Sequence, residues 1–425
     1  MRFRFVLAIA SLFLSLSISA DNRSLECVGC WKALPNSPTV DESLGVNIHF
    51  TEPKPGELKM IADAGFRWVR MDFKWDVTEP EVGRYDFSAY DRLLKELEAN
   101  HLRAMFILDY GNPAYEQTSP RTQASRQAFA KWAVTAAQHF ANRGVLWEIY
   151  NEPNNPMFWK PVNAKEYALL AAAVAQAFRE AVPGEKLIGP AVGEMDFAFL
   201  ESCFKAGVMD SFSGISVHPY LRRNPEPVAN DYARLRQMIR TYRDERDGAE
   251  LPIISGEWGY SSVWRGMDEE KQAVMLARQF LTNMANGIPL SIWYDWRDDG
   301  LDPKEAEHHF GLVRNQNQSG AEVNDPKAAY LAARTLTTVL KGFRFERRLE
   351  VGGPEDYALA FAKAGERRIV AWTVSPTPHR LLFPNLSGEF VVTTIDGVSG
   401  GRVAATNEGL RIDVSGSPRY FVAAN

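Results

Sequence analysis

The 425-residue sequence is poor in cysteine, histidine and net charge: three Cys, seven His and a formal charge of −5. So few thiols exclude a disulfide-stapled scaffold, and no Cys or His cluster has zinc-ligand spacing. His308-His309 lacks a partnering ligand set. No catalytic metal and no cofactor are therefore expected. A weakly acidic balance gives no electrostatic case for nucleic acid or anionic lipid as a partner. Beyond the first twenty residues no apolar run approaches the roughly 20 residues that a membrane-spanning helix needs. Internal repeats, heptads and low-complexity tracts are also missing.

What is present begins with a leader. Arg2 and Arg4 precede an apolar run from Phe5 to Leu16, and Ser17-Ile18-Ser19-Ala20 supplies small residues for cleavage. Residues 1–20 read as a signal peptide for export to the periplasm or beyond, an uncleaved anchor being the alternative. Residues 21–43 form an N-terminal extension. Cys27-Val28-Gly29-Cys30 has redox-motif spacing without the surrounding βαβ pattern, so a small structural disulfide is expected there. Cys203 reads as a buried or free thiol.

From residue 44 apolar strands alternate with helical runs, the pattern of a parallel sheet. Eight strands are expected, at 44–50, 66–75, 103–111, 146–151, 186–192, 212–220, 252–259 and 290–296. Helices are expected at 90–100, 126–142, 164–181, 231–247, 268–286 and 328–340. Eight such units make a (β/α)₈ barrel over residues 44–342. From residue 343 to 425 short alternating segments separated by Gly, Pro, Asn and Asp predict an antiparallel β-sandwich. Asn224-Pro225-Glu226-Pro227 is expected as a loop leaving the sixth strand.

Barrels carry their reacting groups at the C-terminal ends of strands. Two carboxyls stand there among apolar neighbours: Glu152 after the fourth strand, in Tyr150-Asn151-Glu152-Pro153-Asn154, and Glu257 after the seventh, in Ser255-Gly256-Glu257-Trp258-Gly259. Paired carboxyls across a barrel mouth are the equipment for glycoside cleavage, one donating a proton and one meeting positive charge at the anomeric carbon. A lone strand-end glutamate is as often a salt-bridge partner. Glu148 fits that bland reading, away from the rim. The 11 Trp and 14 Tyr suit sugar faces, though most aromatic residues simply pack.

These motifs together resemble clan A of the glycoside hydrolases over about residues 44–340. Arg70 in the second strand, His218-Pro219-Tyr220 ending the sixth, Trp293 in the eighth, and the run Pro80 to Phe87 into Tyr90-Asp91 agree in order. Asn-Glu-Pro-Asn followed by Phe158-Trp159-Lys160-Pro161 is most similar to family 39, and family 5 shares Asn-Glu-Pro and Gly-Glu-Trp-Gly. The resemblance implies a retaining hydrolase of β-linked oligo- or polysaccharide. Glu152 matches the acid/base, which calls for a raised pKa, and Glu257 the nucleophile, held charged by Arg70. Asn151 matches a ligand of the sugar 2-hydroxyl, His218 and Tyr220 the pair flanking the nucleophile, and Trp293 the floor of the −1 subsite. Trp75, Trp159 and Trp258 are expected to line subsites, with Tyr110, Asn112, Trp264, Tyr294 and Trp296 as further candidates. Asp295, Arg297, Asp298 and Asp299 read as a self-paired charged loop. A family 5-like endoglycanase and a non-catalytic carbohydrate-binding barrel are the alternatives.

Overall fold

The computed structural model describes residues 38–243, 250–315 and 324–424. The leader and the Cys27–Cys30 pair lie outside them. Eight parallel strands close into a barrel: β1 (Leu44–Asn47), β2 (Trp68–Lys74), β3 (Arg103–Asp109), β4 (Leu146–Ile149), β5 (Lys186–Gly193), β6 (Ile215–His218), β7 (Ile253–Trp258) and β8 (Ser291–Trp293). Closure comes from β1 on β8, with Leu44 opposite Ser291 and Val46 opposite Trp293. Around them run α1 (Glu57–Asp63), α2 (Trp75–Thr78), α3 (Ser88–Ala99), α4 (Gln123–His139), α5 (Ala164–Ala181), α6 (Phe197–Lys205), α7 (Val228–Tyr242), α8 (Glu269–Ala285) and α9 (Ala328–Val339). The short helices α1, α2 and α6 had no counterpart in the sequence reading. At most nine residues long, they show too few turns for a periodic stripe. For α6 the signal was its cap, since Asp196 Oδ1 accepts from the backbone of Ala198 and Phe199.

Period-2 alternation layers the barrel interior. Its lower plug is apolar, built from Trp68, Met105, Leu146, Ile188, Ile254, Leu290 and Ile292. Two residues up their strands, Trp68 gives way to Arg70, Leu146 to Glu148 and Ile254 to Gly256. A charged layer thus rests on an apolar floor, one step below the mouth. Gly256 leaves room there for its neighbours, because a Cβ would lie 2.3 Å from Ser216 Oγ and 3.0 Å from Glu148 Oε1.

Beyond α9 follow β9 (Arg344–Arg348), β10 (Asp356–Lys363), β11 (Glu366–Thr373), β12 (His379–Phe383), β13 (Glu389–Thr393), β14 (Ser399–Ala404), β15 (Leu410–Val414) and β16 (Arg419–Ala423). Six form an antiparallel sheet in the order β14-β13-β16-β11-β10-β9, and β12 pairs with β15. Between the two sheets lies a small core of Ile369, Leu381, Phe383, Phe390, Ile412 and Phe421. The other face of the large sheet contributes Leu359, Phe361, Val370, Trp372 and Tyr420 to the core of the barrel.

Candidate active site

Arg70 organises the charged layer. Buried on the inward face of β2, it donates from Nε to Glu148 Oε2 (2.8 Å), from Nη1 to Glu257 Oε2 (2.6 Å) and Asn47 Oδ1 (3.1 Å), and from Nη2 to Asn151 Oδ1 (2.7 Å). Burial opposes its charge, but Glu148 and Glu257 more than compensate, so its pKa is driven up. Glu148 is indeed a structural partner, with one qualification. It is not remote from the site, since its other oxygen accepts from Ser216 Oγ and it anchors the arginine that holds Glu257.

Glu257 reaches the mouth through a break in alternation. Ile254 and Gly256 face inward, so a regular strand would turn Glu257 toward the helices. The register of β7 on β8 instead shifts between Ser255 and Trp258, a bulge that re-aims one side chain. Gly259 then passes close under β8, where a Cβ would fall 1.8 Å from the carbonyl oxygen of Tyr294. Tyr220, just past β6, donates its hydroxyl to Glu257 Oε1 at 2.8 Å. Burial and the adjacent Glu257 charge keep that phenol protonated, well above its usual range.

Glu152 faces Glu257 from a strained turn after β4. Its φ is +42° and that of Tyr150 is +65°, costs of order 1–3 kcal/mol each that persist only when the surroundings impose them. Those surroundings include Glu152 N donating to Ala191 O (3.1 Å) and Tyr150 OH donating to Phe158 O (2.9 Å). The Glu152 carboxylate lies 3.0 Å from His218 Nδ1 and accepts from Asn155 Nδ2 at 3.1 Å. Burial pushes its pKa up, but the hydrogen bond and charge of His218, with Asn155 and Arg70, leave it below the ordinary glutamate range. The raised value expected of an acid is thus reversed, because a buried imidazole donates to it. One carboxylate oxygen of Glu152 and one of Glu257 lie within 4.8 Å of each other, and a ring nitrogen of His218 lies within the same distance of each.

A cavity of about 940 Å³ opens over this group, and its lining includes Arg70, Asn151, Glu152, Tyr220 and Glu257. Tyr110 and Phe158, stacked at 5.5 Å and 10°, form one aromatic wall. Tyr294, Trp264 and Phe310 form another.

Four tryptophans expected at the sugar are packed elsewhere. Trp293 follows Ile292, which faces the barrel interior, so its indole turns outward against Phe280 and Tyr260, and Tyr294 takes the lining position. Trp75 lies between Tyr115 and Trp132 with its N–H on Glu79. Trp159 packs on Tyr150 and Tyr167, leaving Phe158 to face the cavity. Trp258 is buried beside Tyr260. Of the further candidates, Asn112 and Trp296 are tied to Glu79 and Glu57. The charged loop is paired outward and not with itself, Arg297 to Glu57, Asp298 to Lys327 and Asp299 to His49, with Asp295 and Asp298 buried.

The sequence reading missed Asn47, His49, Asp72 and Glu307 in the lining. For Asn47 and His49 the signal was their place at the end of β1, which with β5 was a strand end left without a candidate. Burial resists a charge on His49, but Asp299, Asp295 and Asp72 raise its pKa to about 9. Glu307 is raised by burial and by the charge of Glu257.

Residues 37–300 match the family described as cellulase, glycosyl hydrolase family 5. The chain belongs to that family. Its barrel is therefore a clan A glycoside hydrolase barrel, as the strand-end motifs implied. Among solved structures, a family 39 glycoside hydrolase from the gut symbiont Bacteroides cellulosilyticus WH2 is 26% identical, with a TM-score of 0.77 over 92% of this chain and 81% of that one. A family 39 β-xylosidase from Caulobacter crescentus shares the fold at 17% identity and TM-score 0.64, over 92% and 98%. A β-xylosidase from Geobacillus stearothermophilus is 31% identical over 118 residues, 24% of this chain. The match spans about a quarter (23%) of that curated relative's length.

Proposed function

We propose that this family 5 chain is a retaining glycoside hydrolase acting on β-linked oligo- or polysaccharide. The observation that carries the reading is that one carboxylate oxygen of Glu152 lies within 4.8 Å of one of Glu257, a gap too short to seat a water and a sugar carbon between separated groups. Retaining enzymes hold the pair about 5–5.5 Å apart, and inverting ones leave roughly 6.5–9.5 Å for a water. Glu257, ion-paired to Arg70, attacks the anomeric carbon while Glu152 gives its proton to the departing glycosidic oxygen. Water then attacks the glycosyl-enzyme ester, returning a proton to Glu152 and freeing Glu257. A sugar covering the pair adds to the desolvation that already pushes the Glu152 pKa up, and so favours its protonated, proton-donating form. Arg70 fixes the amide oxygen of Asn151 and leaves its NH₂ group to donate to the 2-hydroxyl.

Proton NMR of the first product formed from an aryl β-glycoside tests this. The β-anomer is expected first, and an initial α-anomer would contradict it.

Substrate is a finer matter. β-Xyloside cleavage is supported by the names of the two β-xylosidases. Internal cutting of a glucan or mannan is supported by the match of residues 37–300 to the family described as cellulase. A fall in viscosity before reducing monosaccharide accumulates selects the second; early monosaccharide selects the first. We also infer export from the leader at residues 1–20, to be checked by the N-terminal sequence of the protein recovered from the periplasm or medium.

A further inference from the structure

The Asn224-Pro225-Glu226-Pro227 run, between the rim residues of β6 and the start of α7, takes no part in the chemistry above. Yet Glu226 is only 4% exposed, and a buried carboxylate demands partners. Arg278 of α8 donates to it bidentately, Nε to Oε1 at 2.7 Å and Nη2 to Oε2 at 2.8 Å. A third donor comes from the β-sandwich, Trp372 Nε1 to Glu226 Oε1 at 2.8 Å. Trp372 lies on β11, its ring stacked on Tyr357 of β10 at 5.0 Å and 8°, and Arg348 of β9 covers the Tyr357 ring at 4.2 Å. One carboxylate therefore joins the β6 loop, a barrel helix and three strands of the second domain.

The loop is built to transmit that anchorage. Pro225 and Pro227 fix φ on either side of Glu226. Midway, Tyr260 OH donates to Arg223 O at 2.8 Å, tying the loop to the segment just after Glu257. At the far end stand His218, on Glu152, and Tyr220, on Glu257. Arg278 already engages both oxygens of Glu226, so local charge pairing does not require the indole N–H. What the N–H adds is a fixed position relative to the sandwich.

We propose that the β-sandwich is a positioning element of the active site, Trp372 acting through Glu226 to hold the β6 loop so that Tyr220 stays on Glu257. The proposal rests on the reading of Glu257 as nucleophile given above.

A double-mutant cycle in the full-length enzyme tests it. Trp372→Phe keeps the stacked ring and removes the N–H, and Tyr220→Phe removes the hydroxyl at the far end. Coupled residues are non-additive, so Trp372→Phe is expected to lower kcat about fivefold with KM changed less than about twofold, and to cost less than about 1.5-fold in the Tyr220→Phe background. Equal losses in both backgrounds, or a lowered thermal midpoint with kcat at 25 °C unchanged, would overturn the proposal. So would a Tyr220→Phe enzyme of undiminished kcat. If Trp372→Phe does not fold, Glu226→Gln, which keeps the side-chain shape, carries the same comparison under the same criteria. The underlying reading fails separately, through a Glu257→Gln enzyme that retains its turnover.

Discussion

Arg70 holds two carboxylates, Glu148 and Glu257, and two amides in one buried guanidinium fork. Only a planar five-donor group serves four acceptors at once, so lysine is no substitute. Arg70→Lys is expected to lower kcat/KM by at least about 10²-fold, since a point charge cannot fix Glu257 and Asn151 together. Steady-state kinetics on an aryl β-glycoside measures this, and a loss under threefold would be the contrary result. His49 gives a second prediction at this scale. Its folded pKa, about 9, exceeds the ordinary 6.5 through Asp299, Asp295 and Asp72, although burial works against it. The stabilisation is therefore complete below about pH 6.5 and lost as pH rises through about 9. A partly exposed imidazole dilutes the effect, so the observable is the slope of thermal midpoint against pH. His49→Gln should flatten the decline between about pH 7 and 9, and an unchanged slope would refute the assignment.

Strand elements explain why some site residues were legible and others were not. Glu152, Glu257, Arg70, Asn151, His218 and Tyr220 announce themselves because a barrel gathers its strand ends, and four motifs in the right order leave little freedom. The indoles were harder, because one residue of register decides which face a side chain occupies. Trp293 sits one place after inward-facing Ile292, and alternation alone would have sent it outward. Glu257 sits one place after inward-facing Gly256, and alternation would have sent it outward too. The β7 bulge rescues Glu257, and its one local signal is the mid-strand glycine, Gly256. Trp293→Phe should therefore lower stability by roughly 1–3 kcal/mol through lost packing while leaving KM within twofold. Tyr294→Ala should do the reverse, raising KM several-fold with little change in midpoint. Denaturant titration beside kinetics separates the two, and the opposite pattern would restore Trp293 to the subsite.

The whole molecule binds a barrel and a sandwich through shared interior. Leu359, Phe361, Val370, Trp372 and Tyr420 complete the barrel's own core, so the second domain is no detachable appendage. Removal of residues 343–425 should lower the thermal midpoint by more than about 10 °C or leave the barrel insoluble, because it bares that face and strips a donor from buried Glu226. A truncated barrel of native midpoint and activity would contradict this. The central claim concerns two carboxylates within 4.8 Å across the mouth, and azide rescue tests it most directly. Glu152→Ala should hydrolyse an aryl β-glycoside slowly, regain turnover with added azide, and yield the β-glycosyl azide. An α-glycosyl azide, or the same rescue in Glu257→Ala giving a β-product, would contradict the roles assigned to the pair.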